Sequence, residues 1–498
     1  MDPALRSSLQ RTVRGTVTTR PTELNRLGRD ASHVHGAPGA VVRPIDAEDV
    51  AELVGWARQH RMALVPRGAG TSLDGESVAL GGAVVVDLSG WKGIGDVGPG
   101  DRSVRVGPGV VNRALHTALE PAGLFFPPNP GSWETCTIGG NLGTNASGPR
   151  SFRYGPTRHW VSEVEAVLGT GEKVRLGRRV EKRSMGPDLL QLFIGSEGTL
   201  GIATEVTLRL APRPARRTGL ALPLPVDASL GRLARALARA PGTGLSAVEY
   251  LDEFSAEGLV VGRGARWATG SPLLLLEVEG EDTAESAVHI VRVSAALRAS
   301  GILTEPTVIE EADRLWSLRG ENGRVLDERL GPHVRDDVAV PFDRLDELVA
   351  AVRTIALDEE VRVYLFGHLG EGNLHPNYAV DPASRTADRI RAALYAAVLR
   401  LGGTISAEHG VGRVKREFLG HELGTTAVRL LRAVKDACDP DGILNPGKLY
   451  PSGPPTTGGS SPSPSGGGGG PGRPASPSGA PSRPERSAPK RGRRARSR

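Results

Sequence analysis

Apolar positions in this chain come in short runs separated by turns rich in glycine and proline. Val50, Leu53, Val54 and Ala57 fall at helical spacing behind Asp46-Ala-Glu-Asp49. That acidic tetrad reads as a capping box, and the pattern predicts a helix over 46–60. Ala63–Pro66, Ala83–Leu88 and Val104–Gly109 predict short strands, and Val111–Ala122 predicts another helix. Val161–Leu168 with Val174–Leu176 predicts a hairpin, and Leu200–Leu210 alternates as a strand. Strands and helices mix without a regular βαβ rhythm, which gives an α+β class. The first 37 residues are polar and carry no strong pattern, so they read as an N-terminal extension.

Residues 127–160 break the periodicity with Pro, Gly, Asn and Ser. A loop of that length is either functional or disordered. Its low charge, with Trp133, Thr137, Ile138 and Trp160, predicts burial. Pro212 and Pro214, among Arg213, Arg216 and Arg217, mark a boundary. Beyond it, Leu230–Ala240 and Glu285–Ala299 predict amphipathic helices, and Leu273–Val278 and Val361–Phe366 predict strands. Ala427–Tyr450 closes the folded part. The expected organisation is an extension at 1–37, one domain at 38–214, a second at 215–450, and a tail at 451–498. The Pro/Gly/Ser/Arg-rich tail cannot bury apolar surface and is expected to be disordered.

Composition narrows the function classes. Of 498 residues, 39% are hydrophobic and 24% charged, as in a globular protein, but only 4% are aromatic. Ala, Val and Leu must therefore fill the cores. Two cysteines, Cys136 and Cys438, exclude a disulfide scaffold, a four-Cys zinc site and a four-Cys iron–sulfur cluster within this chain. The net charge of +6 is misleading, because residues from Pro451 onward hold nine Lys or Arg and one Glu. The tail's +8 leaves −2 for the preceding residues, which removes the electrostatic support for nucleic-acid binding by the folded body. The N-terminus lacks a signal-peptide apolar stretch, and no apolar run approaches the ~20 residues that span a bilayer. A cytoplasmic protein is expected, with peripheral membrane docking left open.

Three glycine-rich segments carry the first chemical signal. Pro66-Arg-Gly-Ala-Gly-Thr-Ser-Leu-Asp-Gly75 follows a strand, and its glycines let backbone N–H groups approach an anion. Thr137-Ile-Gly-Gly-Asn-Leu-Gly-Thr-Asn-Ala-Ser-Gly148 and Gly195-Ser-Glu-Gly-Thr-Leu-Gly-Ile202 repeat this chemistry. One such loop reads equally well as an ordinary turn. Three within about 140 residues suggest one long, polar-ended ligand, and a dinucleotide flavin fits. Gly93-Ile-Gly-Asp-Val-Gly98 matches G-x-G-x-x-G literally, but Pro99-Gly-Asp101 follows where that fingerprint needs a helix. A nicotinamide site there is rejected.

The second signal lies in the C-terminal half. Gly367-His-Leu-Gly-Glu-Gly-Asn-Leu-His375 places two histidines seven residues apart around a glycine-rich turn. Ser406-Ala-Glu-His-Gly-Val-Gly412 supplies Glu408 and His409. Two imidazoles and a carboxylate suit a divalent transition metal such as zinc or manganese and leave positions for a substrate. Satisfied turn histidines and an unrelated cap would give the same residues.

The three glycine-rich segments, in order and spacing, resemble the FAD-binding domain of the vanillyl-alcohol-oxidase/PCMH-type flavoproteins. The resemblance implies cofactor contacts at Pro66, Arg67, Gly68, Ala69, Gly70, Thr71, Ser72, Thr137, Gly139, Gly140, Asn145, Gly201, Ile202 and Asn445. The first loop lacks the histidine through which several members attach flavin, so FAD is expected to be noncovalent. The segments at 367–375 and 406–412, with Asp439-Pro-Asp-Gly-Ile-Leu-Asn-Pro-Gly447, resemble the C-terminal domain of FAD-linked oxidases acting on D-2-hydroxy acids. That group includes D-lactate dehydrogenases, glycolate oxidase flavoprotein subunits and D-2-hydroxyglutarate dehydrogenases. It implies metal ligation by His368, His375 and Glu408, with His409 as catalytic base. It also implies substrate binding by Arg319, Arg335 and Asn377. Glu371 stands where many members have Asp.

The implied reaction takes a small D-2-hydroxy acid to its 2-oxo acid by hydride transfer to flavin N5. The reduced flavin then passes electrons to a quinone, a cytochrome, an electron-transfer flavoprotein or oxygen. A homodimer is compatible with the group. Two other readings stay open: a non-redox flavoenzyme of the alkyl-glycerone-phosphate synthase type, and a degenerate binding protein with a basic tail.

Overall fold

Among the described residues, two four-stranded sheets, one eight-stranded sheet and a short two-stranded ribbon carry the chain. The computed structural model describes residues 1–452 apart from 98, 99, 101 and 265–269. The tail beyond 452 and part of the 93–98 glycine motif lie outside the described residues. Ile94 of that motif bridges to Val106, and the next helix starts only at Asn112.

The first sheet has the order Thr16–Thr18, Ala40–Arg43, Val84–Asp87, Leu64–Arg67. Its last three strands are parallel, buried and Val-rich, as a covered parallel sheet requires. The opening residues are not a patternless extension. Pro3–Thr12 and Pro21–Leu27 are helices that begin on proline, and Thr16–Thr18 pairs with Ala40–Arg43. Leu9, Val13 and Leu27 anchor them in the core. Three apolar anchors in so polar a stretch are too sparse to show a period, but proline at the first helical position is a legible start signal.

Helix Ala47–His60 forms as expected, but its capping box is half made. Asp46 accepts from the Asp49 N–H, whereas the Asp49 carboxylate turns to the N–H groups of Arg14, Gly15 and Ile45. The second sheet is antiparallel in the order Ser103–Val106, Gly201–Arg209, Val161–Leu168, Lys173–Gly177. The predicted hairpin is its last pair. Val167 and Ile202 pack into the same core as Val84, Val86 and Leu64, which joins the two sheets. In the aperiodic stretch, Thr137 and Ile138 are buried as expected, but Trp133 is 37% exposed. Trp133 instead meets the edge of the His116 ring.

The third sheet is antiparallel, with Arg216–Pro223, Leu273–Gly280, Leu245–Leu251, Val363–Gly367 and Asn373–Tyr378 as successive neighbours. The period of two sorts its faces. Leu274, Leu276, Val278, Val248, Tyr250 and Leu365 share a core with helices Leu230–Arg239, Thr283–Ala299, Leu345–Asp358 and Arg385–Arg400. The opposite face carries Glu249, Glu277, His375 and Asn377. Arg150, from the aperiodic stretch of the first half, donates to Glu277 through Nε at 2.9 Å and Nη2 at 3.0 Å. The third sheet's polar face thus meets the first half of the chain. The C-terminal segment also returns there: the Asn445 N–H donates to the Leu64 carbonyl at 2.7 Å. No helix among the described residues is long and apolar enough to cross a membrane.

Candidate active site

The strand Leu64–Arg67 runs out into the first glycine-rich loop, which curls because Gly70 and Gly75 take φ of 75° and 82°. This loop, Thr137–Thr144 and the start of strand Gly201–Arg209 line one groove. Pro66, Arg67, Gly68, Ala69, Gly70, Thr71, Ser72, Thr137, Gly139, Gly140 and Gly201 all line it. Thr137 caps the helix Ile138–Thr144 and lies against Gly68, where a Cβ would sit 2.1 Å from its hydroxyl. Arg67 is buried in the wall. Its Nη1 donates to the Ser77 hydroxyl, and its Nε has no partner among the described residues. A buried donor beside a glycine-rich loop fits the phosphates of a dinucleotide.

Three expected contacts stand behind the wall. Ile202 is fully buried in the sheet core. Asn145 ends the helix at φ 53°, and its Oδ1 accepts from the Arg158 N–H at 3.0 Å. Asn445 Nδ2 donates to the carbonyls of Glu76 and Glu197 at 2.8 and 2.7 Å. Glu76 and Glu197 themselves line the groove, which the glycine motifs do not announce. Burial, then Glu197 and Asp74, hold the Glu76 carboxyl well above the usual carboxylate range.

The second motif builds a compact centre. His368 follows strand Val363–Gly367, a 3₁₀ turn crosses Leu369–Glu371, and His375 lies in the returning strand. Glu408 arrives from the loop after helix Arg385–Arg400. Glu408 Oε1 is 2.9 Å from His368 Nε2 and 3.4 Å from His375 Nε2. His409 stacks on His375 at 5.0 Å, with its Nε2 3.8 Å from Glu408 Oε1. Burial opposes charge on His368, but Glu249 and Glu408 outweigh it and hold the imidazole well above its ordinary range. Burial likewise disfavours the Glu408 carboxylate, and His368 more than offsets this, leaving Glu408 well below its usual range. Burial lowers His409 to about 4 against the pull of Asp337, so its ring is neutral near pH 7. Ligand atoms of His368, His375 and Glu408 lie within 4.8 Å of one another. Two imidazoles and an ionised carboxylate fit zinc or manganese.

Buried carboxylates behind the histidines are the features the motifs miss. Glu249 bonds His368 Nδ1 and accepts from Arg319 Nε and Nη2 at 2.9 and 2.7 Å. Arg319 therefore stands beside the centre with its guanidinium already shared, stacked 4.8 Å above the Phe366 ring. Arg335 pairs with Asp327 rather than with Asp336 or Asp337, and Asn377 Nδ2 donates to the His375 carbonyl. Asn377 thus touches the backbone of one metal-type ligand, and Arg335 has no hydrogen bond or ion pair to the three among the described residues. Only the strand alternation, unreadable without register, could have marked Glu249.

Groove and centre share their walls. The loop that follows the groove-lining helix supplies Ser147, whose hydroxyl donates to Glu408 Oε2 at 2.7 Å. Ser151 donates to Glu371 at 2.7 Å, and burial pushes that carboxyl up to about 7. Glu197 accepts from the Val411 and Gly412 N–H groups just beyond His409, at 2.7 and 3.1 Å.

Residues 38–177 match the FAD binding domain family, and residues 213–449 match the C-terminal domain of FAD linked oxidases. The chain is 34% identical to D-2-hydroxyglutarate dehydrogenase of Stutzerimonas stutzeri over 470 residues, 90% of this chain and 99% of that protein. It belongs to the FAD-linked oxidases. This FAD-linked oxidase is also 33% identical to glycolate oxidase subunit GlcD of Bacillus subtilis, over 83% of its own length and 89% of the relative's. It shares the fold of p-cresol methylhydroxylase, with a TM-score of 0.76 at 16% identity, over 90% of this chain and 96% of that one. The FAD-linked oxidase thus consists of a PCMH-type FAD-binding domain and a C-terminal α+β domain, as its sequence motifs imply.

Proposed function

We propose that the protein oxidises a small D-2-hydroxy acid to the 2-oxo acid, with noncovalent FAD in the glycine-lined groove and a divalent ion on His368, His375 and Glu408. The observation that carries this reading is Glu408 itself. One of its oxygens faces both imidazoles, and the other takes a hydrogen bond from Ser147, in the loop just after the groove-lining helix. A redox cofactor and a cation centre therefore meet on one wall. When bound, FAD supplies the two-electron acceptor and the ion a Lewis acid.

The chain's own residues do the rest. His409 Nε2, kept neutral by burial, takes the hydroxyl proton. Arg319 keeps its Nη1 for the substrate carboxylate while Glu249 holds the other two nitrogens. Arg335, whose buried Nε lacks a partner among the described residues, is the second cation. It favours a dicarboxylate such as D-2-hydroxyglutarate over lactate or glycolate. Asn377 completes the polar face beside His375. No four-cysteine cluster is available, so electrons leave for an external acceptor: a quinone, a cytochrome, an electron-transfer flavoprotein or oxygen.

The test is an anaerobic titration of the yellow protein with D- and L-2-hydroxy acids, including 2-hydroxyglutarate, lactate and glycolate. Bleaching by a D-acid, most efficiently by the dicarboxylate, is expected. Flavin left oxidised by every 2-hydroxy acid contradicts the proposal. Release of FAD on denaturation tests the noncovalent linkage.

A further inference from the structure

Asp337 is fully buried and makes more designed contacts than any ligand it stands behind. Its Oδ2 accepts from three successive backbone N–H groups, those of Ala407, Glu408 and His409, at 2.9, 2.7 and 2.9 Å. Its Oδ1 accepts from Asn373 Nδ2 at 2.7 Å and lies 3.4 Å from His375 Nδ1. That ring nitrogen is buried and has no hydrogen-bond partner among the described residues. Asp337, His375 and His409 also satisfy the distances for a second ion site, overlapping the first at His375. The two arrangements differ in which ring nitrogen of His375 would face the ion.

We infer that Asp337 is not a ligand but the positioning residue of the centre, holding the His375 ring and the Ala407–His409 backbone in one register. The inference rests on the ion centre proposed above. Oδ2 already has three N–H donors, and Oδ1 has the Asn373 amide, which leaves one lone pair on Oδ1, and that side lies 3.4 Å from His375 Nδ1. Glu408 Oε1 faces only imidazole nitrogens. An ion on Nε2 of His375 fixes the ring with Nδ1–H toward Asp337, and a carboxylate in that place orients a metal-binding imidazole and raises its basicity. The same carboxylate sets the peptide that carries both Glu408 and His409. One side chain therefore fixes the distance from ligand to base. Glu249 does the corresponding work on His368 Nδ1, but it has no hold on the base.

The full-length flavoprotein is stripped of metal and titrated with Co²⁺ and Zn²⁺, comparing wild type with Asp337→Asn. The variant is expected to keep its FAD and its flavin spectrum. It should bind metal about 10–100-fold more weakly, as loss of such a carboxylate typically costs, with an altered Co²⁺ d–d spectrum. Its kcat should fall more than KM rises, because the base is displaced. Equal affinity and an unchanged Co²⁺ spectrum in Asp337→Asn overturn the inference. Should the variant not fold, ¹⁵N-histidine NMR of the wild type decides, with His375 assigned through His375→Gln. Zinc should leave a proton on His375 Nδ1, and zinc bound at Nδ1 overturns the inference. Failure of wild type to bind either metal refutes the ion centre itself, a different outcome.

Discussion

A buried imidazole that stays neutral is available to accept a proton at a pH where a solvated one is already partly charged. His409 is such a group, lowered to about 4 by burial and set beside Glu408. His409→Ala is expected to slow anaerobic reduction of the bound flavin by about 100-fold or more, with flavin content unchanged. Stopped-flow absorbance checks this, and a wild-type rate removes His409 from the chemistry. His116 shows the same physics without a catalytic role. It packs against Phe125 and Trp133, and burial, then Arg150 and Arg217, lower it to about 4. Above its unfolded value of 6.5, both states are neutral and nothing is lost. As pH falls from 6.5 toward 4, the unfolded chain takes up a proton that the folded one refuses, and stability drops by about 2–3 kcal/mol. His116→Phe should remove most of that slope between pH 7 and 4.5 in denaturant titrations, whereas an unchanged slope would clear His116 of this role. Histidine type and spacing make His368, His375 and His409 legible in the sequence. The neutrality of His409 is not legible, because it depends on burial outweighing the pull of Asp337, seventy-two residues away.

At the scale of elements, the strand Leu273–Gly280 explains how one sheet serves two purposes. Leu274, Leu276 and Val278 fill the helical core, while Glu277 and Glu279 turn toward Arg150, Arg153 and Arg217. The apolar run predicts the strand, but its acidic end finds a partner 127 residues earlier in the chain, beyond the reach of any local pattern. Arg150→Met keeps much of the volume and leaves the buried Glu277 with the Ser246 hydroxyl, the Trp316 indole N–H and, 3.9 Å away, Arg217 as its remaining cation among the described residues. We expect a loss of about 3 kcal/mol in chemical denaturation, together with weaker FAD retention, because Arg150 adjoins Ser147 and Ser151. A variant as stable as the parent would mean that this pair does not join the two halves. The N-terminal helices teach the complementary lesson. Proline at their first turns is written in the sequence, but the strand Thr16–Thr18 between them joins the first sheet through a three-residue pairing with Ala40–Arg43 that no periodicity shows.

Across the whole molecule, the two halves of the chain meet where Ser147 bonds Glu408 and Glu197 bonds the Val411 and Gly412 backbone. Glycine motifs mark the groove and histidine motifs the centre, because both need particular residue types at fixed spacing. Ser147 and Glu197, which reach across to the second half, sit inside the glycine-rich segments but are not marked there by residue type, while Glu249 and Asp337, which hold His368 and the Glu408 backbone, lie outside every motif. The most direct test of this arrangement is single-turnover flavin reduction by D-2-hydroxyglutarate before and after metal removal, with metal content measured on the same sample. Chelated protein should keep its yellow flavin and lose about 100-fold or more of the reduction rate, and added zinc or manganese should restore it. Undiminished reduction in protein verified to be free of metal would contradict the account.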